Sequence, residues 1–117
     1  MKTSTGGAYN VDIWMAGDLA QAKQVCREFC MTEGFCVHIH AVDYIYTGGQ
    51  EAGFKVGCIS YPRFPTAPFV LRQKAERLAI LLMTQLCQHS YSITCGDKTT
   101  WHSRRKEDLD PSGNTGA

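Results

Sequence analysis

Two stretches of helical periodicity, each bracketed by alternating apolar and polar residues, constrain this chain more than any other feature. Tyr9, Val11, Ile13 and Met15 alternate with Asn10, Asp12 and Trp14, the period of a half-buried strand. Ala16-Gly17 breaks the pattern, and Asp18 is a good N-cap for a helix. From Leu19 to Glu33, Leu19, Ala22, Cys26, Phe29 and Cys30 recur on one helix face, and Gly34 suits the left-handed residue that stops a helix. Phe35–Tyr46 is rich in β-branched and aromatic residues and predicts a second strand. Phe35, Val37, Ile39 and Ala41 fall on one face of it; Cys36, His38, His40, Val42, Tyr44 and Tyr46 fall on the other. The glycine-rich stretch 47–53 predicts a connection of moderate length into a third, antiparallel strand, Phe54–Tyr61.

Pro62-Arg63-Phe64-Pro65 cannot continue a ladder. Thr66 is the expected cap of a second helix with Pro68 in its first turn. Its expected apolar face is Phe69, Val70, Leu78, Leu81, Leu82 and Leu86, and its end lies near Cys87. Tyr91, Ile93 and Cys95 alternate as a fourth strand, and Gly96-Asp97-Lys98 turns the chain into a short fifth, Thr99–Ser103. This order predicts an α+β, ferredoxin-like βαββαβ fold, with two helices on one face of an antiparallel sheet and a short C-terminal β-hairpin. The other face, carrying Trp14, His38, His40 and Tyr44, is left to be solvated, to bind a ligand or to be covered by a partner subunit. With 117 residues a single domain is expected over 9–105, between a flexible N-terminal arm (1–8) and a disordered polar tail (106–117).

The balance of 12 Lys+Arg against 11 Asp+Glu leaves no global field, so DNA and membrane surfaces are not expected partners and any anion site must be local. No apolar run approaches the ~18–20 residues of a membrane span. The start, MKTSTGGAYN, lacks the apolar centre of a signal peptide, which predicts a cytoplasmic location. Cys26, Cys30, Cys36, Cys58, Cys87 and Cys95 lie in or beside periodic segments, so they are expected as free, mostly buried thiols in a reducing compartment.

Cys36-Val37-His38-Ile39-His40 puts a thiol and two imidazoles on one strand face, and two such histidines can meet one zinc ion. With no CxxC, no HExxH and no second spaced pair, no metal and no cofactor are expected. None of the cysteines lies at an obvious strand-to-helix elbow or helix N-terminus where its pKa would fall, and Asp12 and Asp43 are too far apart to read as a carboxylate pair. No motif argues for an enzyme. Three segments do carry the parts of a nucleotide pocket. Tyr44-Ile45-Tyr46-Thr47-Gly48-Gly49 combines rings with open backbone N–H groups. Tyr61-Pro62-Arg63-Phe64-Pro65 holds a guanidinium and a ring on a stiff segment before a helix N-terminus. Trp101-His102-Ser103-Arg104-Arg105 sets two guanidiniums beside an indole, and arginine binds phosphate bidentately.

AGDLAQAKQVCREFC, DYIYTGGQEAG, YPRFP and TTWHSRR, in this order, resemble the phage-encoded anti-Thoeris sponges, over about Tyr9 to Arg105. The resemblance implies a binding protein and not an enzyme. It would act in the infected bacterial cell, holding a cyclic ADP-ribose isomer made by a TIR-domain protein and so blocking Thoeris defence. It implies a homo-oligomer, dimer to hexamer, with the ligand at the subunit interface, and a possible separate site for cyclic di- or trinucleotides. Carried over motif by motif, Arg104 and Arg105 would take phosphates, Arg63 and Phe64 would supply a charge and a ring, and Tyr44, Tyr46 and Trp101 the stacking surface. Arg27, in VCREFC, would be a further anion contact. The alternatives are a ferredoxin-like RNA- or protein-binding module and a small hydrolase of cyclic nucleotides.

Overall fold

The alternation near the start of the chain forms a strand, β1 (Asn10–Ala16), with Val11, Ile13 and Met15 buried and Asp12 and Trp14 half-buried on the opposite side. In this computed structural model, which describes residues 1–109, there follow α1 (Leu19–Glu33), β2 (His38–Tyr46), β3 (Gly49–Ile59), α2 (Pro68–Gln85), β4 (Ser90–Cys95), β5 (Lys98–Ser103) and a 3-10 turn, Lys106–Leu109. The strands make one antiparallel sheet in the order β2-β3-β1-β4-β5. Both helices pack on one of its faces, so the expected α+β, ferredoxin-like arrangement is the observed one, with β5 added outside β4.

Local chemistry explains the helix ends. Asp18 accepts a hydrogen bond from the Gln21 N–H at 2.9 Å, and Gly34, at φ 66°, closes α1 by donating to Cys30 O. The core face of α1 is Ala22, Val25, Cys26 and Phe29. The start of α2 differs from expectation: its cap is Ala67, with no side-chain hydrogen bond, and the Thr66 N–H goes instead to Ser60 Oγ at 3.0 Å. Its buried face is Leu71, Ala75, Leu78, Ala79 and Leu82, whereas Phe69 is 72% exposed. Leu71 lies two positions after Phe69, about 200° around the helix, so only one of the two can face the core.

The glycine-rich stretch is mostly strand. Tyr46 pairs with Gly49, leaving Thr47-Gly48 as the whole turn, and Gly48 takes a φ of 88°. The hairpin is therefore tight where a moderate loop was expected, and its end projects from the body with Ile45 77% exposed. The Phe35–Val37 part of the predicted second strand precedes the ladder, which begins at His38.

Each of the six cysteines is a free thiol, but Cys36 and Cys87 are exposed and only Cys26 and Cys58 are buried, so "mostly buried" is corrected. Cys87 holds a φ of 56° beyond the end of α2, a left-handed position usually given to glycine. In the N-terminal arm, Ser4 Oγ donates to Pro62 O at 3.3 Å. The polar tail begins with the 3-10 turn, where Ser103 Oγ hydrogen-bonds the Asp108 carboxylate; the rest of the predicted tail, 110–117, lies outside the described residues. Among the described residues no helix is long and apolar enough to cross a membrane.

Candidate ligand face

Strand pairing aligns side chains in rows across the face of the sheet that the helices leave open. One row is His38, Gly57, Asp12, Thr94 and Thr99; the next is His40, Lys55, Trp14, Ser92 and Trp101. A third sets Val42 beside Gly53 and Ala16, with Ser90 and Ser103 paired beyond. Trp14 stands at the centre. Its Nε1–H donates to Thr94 Oγ1 at 3.0 Å, and Lys55 Nζ lies 5.4 Å from the ring centroid.

Two glycines of β3 shape this face. A methyl group at Gly57 would coincide with the His38 ring, and one at Gly53 would coincide with the Tyr44 ring and with Met15 O. The rings therefore lie across the strand where no side chain stands. The Tyr44 hydroxyl reaches Phe54 O at 3.2 Å and Met15 O at 3.4 Å, and burial pushes its pKa up. His38 Nδ1 and His40 Nε2 are 2.7 Å apart, with ring planes at 79°.

The structure brings some of the expected site residues onto this face and scatters the rest. Tyr44 and Tyr46 lie on it at the β2 edge, the Tyr46 ring within 3.0 Å of where a Gly49 side chain would begin. Trp101, 52% exposed, lies on it at the β5 edge. Arg105 joins that edge through Ser90 Oγ at 3.2 Å and the Asp108 carboxylate at 4.0 Å. Arg63 and Phe64 sit elsewhere, in a turn closed by the Phe64 N–H donating to Tyr61 O at 3.0 Å, with the two rings 5.4 Å apart. Arg63 borders a cavity of about 650 Å³ with Lys2, Ser4 and Pro62. Arg27, on α1, borders another of about 470 Å³ with Lys23, Cys30 and Phe35.

Arg104 has a structural partner set. Its Nε donates to Gln88 O at 2.9 Å and a terminal nitrogen donates to Met83 O at 3.3 Å, while its main-chain N–H donates to His89 O at 2.8 Å. Met83 O belongs to the last turn of α2, where the helix dipole favours a cation, and Gln88 O and His89 O lie in the link to β4. Replacing Arg104 by alanine is expected to cost about 1 kcal/mol of stability, because charged hydrogen bonds at an exposed position are partly replaced by water. Urea unfolding measures this, and an unchanged midpoint would show the guanidinium idle in the fold.

Sequence reading missed Lys55 and the two glycines. The signal was present in Gly53-Phe54-Lys55-Val56-Gly57, where alternation puts both glycines and the lysine on one face.

No protein-family model matches the chain, and no curated protein matches its sequence. Among solved structures it is similar to a phage SAM lyase in complex with S-methyl-5'-thioadenosine, with a TM-score of 0.67 and 13% identity over 88% of this chain and 95% of that one. It is also similar to a phage SAM lyase in the apo state, with a TM-score of 0.64 and 14% identity over 90% of this chain and 96% of that one. At such identity the likeness is one of fold. It nevertheless corrects the expectation that the chain is not an enzyme, since that expectation rested on an absence of motifs and the same architecture carries a lyase.

Proposed function

We propose that this chain is a phage counter-defence protein that takes a small adenosine derivative bearing an anionic group on its open sheet face. The observation that carries this reading is the pairing of Trp101 with Arg105 on one edge and of Tyr44 with Tyr46 on the other. Each edge offers a ring for a base, and one adds a guanidinium for a carboxylate or a diphosphate. The edges are four strand spacings apart, roughly 19 Å at ~4.8 Å each. One small nucleoside cannot touch both, so a complete pocket needs the β5 edge of one copy and the β2 edge of another.

Fold likeness to the SAM lyases supports S-adenosylmethionine as the first substrate to try. Its sulfonium is already an activated leaving group. Attack of the substrate's own carboxylate on the aminobutyryl γ-carbon forms the C–O bond of a homoserine lactone as the C–S bond breaks and its electron pair leaves with sulfur as S-methyl-5'-thioadenosine, so the protein's part is to orient the side chain and exclude water. The motif resemblance to anti-Thoeris proteins favours a second ligand of the same class, a cyclic ADP-ribose isomer, whose diphosphate would take the place of the SAM carboxylate at Arg105. Cyclic di- or trinucleotides would be a further test at the remaining sites, Arg63 with Phe64, and Arg27.

The test incubates the purified protein with SAM and, separately, with the product of a TIR enzyme, then measures free and heat-released fractions by mass spectrometry. SAM falling as S-methyl-5'-thioadenosine rises supports the lyase reading. Depletion of the TIR product from the free fraction, with SAM untouched, supports the second ligand. Indifference to both sinks the adenosine reading. Arg105→Ala is expected to weaken binding by about tenfold or more, the worth of a charge-assisted contact, without changing the unfolding free energy by more than a few tenths of a kcal/mol. Unaltered binding in the folded variant would remove Arg105 from the site.

A further inference from the structure

His38 and His40 converge more closely than two exposed histidines need to. His38 Nδ1 and His40 Nε2 stand 2.7 Å apart with ring planes at 79°, so the lone pair of one nitrogen points at the other. The alternation of β2 puts both on the open face. Gly57, opposite His38, is what lets that ring settle: a methyl there would occupy the ring's own position. The pair is thus seated in a cradle built by another strand, and it lies away from the Trp101–Arg105 edge of the ligand face.

We infer that His38 and His40 form a two-imidazole chelate for a divalent late-transition ion of the nickel or copper type. An ion held at ~2.0–2.1 Å from each nitrogen with a right angle between them separates those nitrogens by roughly 2.9 Å, whereas a tetrahedral angle needs roughly 3.3 Å. The observed 2.7 Å is nearer the right-angled bite. Square-planar or tetragonal coordination by nitrogen is the preference of nickel(II) and copper(II), and the ordinary affinity order also puts both above their lighter neighbours. The ion replaces the hydrogen now shared between the rings. That hydrogen moves through solvent to the other nitrogen of the same ring, so both imidazoles stay neutral and no charge is lost from either. Among the described residues no group of three His, Cys, Asp or Glu side chains converges on one point. The remaining coordination positions therefore belong to water or to a ligand brought to the face, where Asp12 shares the row of His38 two strands away.

Nickel(II) is the better probe, because the exposed thiols of Cys36 and Cys87 reduce copper(II). Calorimetric titration of the full chain with nickel chloride at pH 7.5 is expected to show one ion bound. His38→Ala and His40→Ala should each weaken it by about tenfold or more, as for loss of one arm of a chelate. Gly57→Ala should do the same with both imidazoles still present, because the new methyl evicts the His38 ring; circular dichroism checks that it stays folded. Cys36→Ser, and His89→Ala with His102→Ala, should leave binding unchanged. No binding by the parent chain, binding that survives in the His38→Ala/His40→Ala double variant, or binding lost with Cys36 or with the other two histidines, would each overturn the site.

Discussion

Raising the pH from 8 to 10.5 is expected to remove about 4 kcal/mol of stability, a large fraction of what holds an ordinary domain folded. Burial pushes the Cys26 and Cys58 thiols from an ordinary 9.0 up to about 12. Both lie inside the core, at 5% and 0% exposure. Which state ionises first sets the sign. A group whose folded pKa is raised contributes its full stability below the unfolded pKa and loses it as pH climbs toward the folded one. At pH 10.5 the unfolded thiols are ionised and the folded ones are not, which costs ~2 kcal/mol for each over 1.5 pH units. Tyrosines add to the same limb. Burial raises Tyr44, Tyr61 and Tyr91, and the hydrogen bond shared with Cys95 raises Tyr9. Urea unfolding at the two pH values measures the loss. Cys58→Ala should start about 1 kcal/mol less stable at pH 8, for a small buried group removed, and should then fall less steeply. A parent chain equally stable at both pH values would mean that the unfolded ensemble shields its thiols as well as the fold does.

How far the amino-acid sequence disclosed this molecule depended on whether a residue's partner was local. The strands and helices were legible because alternation and helical spacing are properties of consecutive residues, and the caps Asp18 and Gly34 act within one turn of their own helix. Gly49 and Gly53 were misjudged for the opposite reason. Alone they look like loop residues, but in the sheet Gly53 lies beneath the ring of Tyr44 and Gly49 against the ring of Tyr46, a partnership set by register and not by neighbours in the chain. Arg104 and Arg105 show the same limit at the candidate site. They are adjacent and chemically identical, yet one donates to Met83 O and Gln88 O, in and just beyond the last turn of α2, while the other turns to Ser90 on the open face. Nothing in the dipeptide distinguishes them. The aromatic residues of the site were legible one by one; that they occupy opposite edges of one sheet required the strand order β2-β3-β1-β4-β5.

Gly53→Ala is expected to destabilise the fold by about 3 kcal/mol, the upper range for overpacking a well-filled site. The added methyl would coincide with Met15 O and the Tyr44 ring and would come within 3.0 Å of Ala16 Cα. Two of these three obstacles are main chain of β1, the central strand, which at Met15 and Ala16 is paired with Phe54 and Gly53 of β3 and cannot withdraw without breaking that ladder. Gly57→Ala supplies the contrast. The three atoms nearest its methyl all belong to the His38 ring, which can rotate away into solvent, so the cost should stay below about 1 kcal/mol. For a domain of this size the difference corresponds to roughly 10 °C in melting temperature. Thermal unfolding of the two variants side by side measures it, and equal melting temperatures would show that β1 yields as easily as a surface imidazole. The consequence reaches the proposed ligand face, because the added methyl would coincide with the Tyr44 ring. In Gly53→Ala that ring is displaced along with the β1 main chain, and the β2 edge loses its stacking surface. In Gly57→Ala the edge keeps Tyr44 and Tyr46 in place and loses only the histidine pair. Adenosine-ligand binding should therefore fall in the first variant, assayed below its melting temperature, and persist in the second.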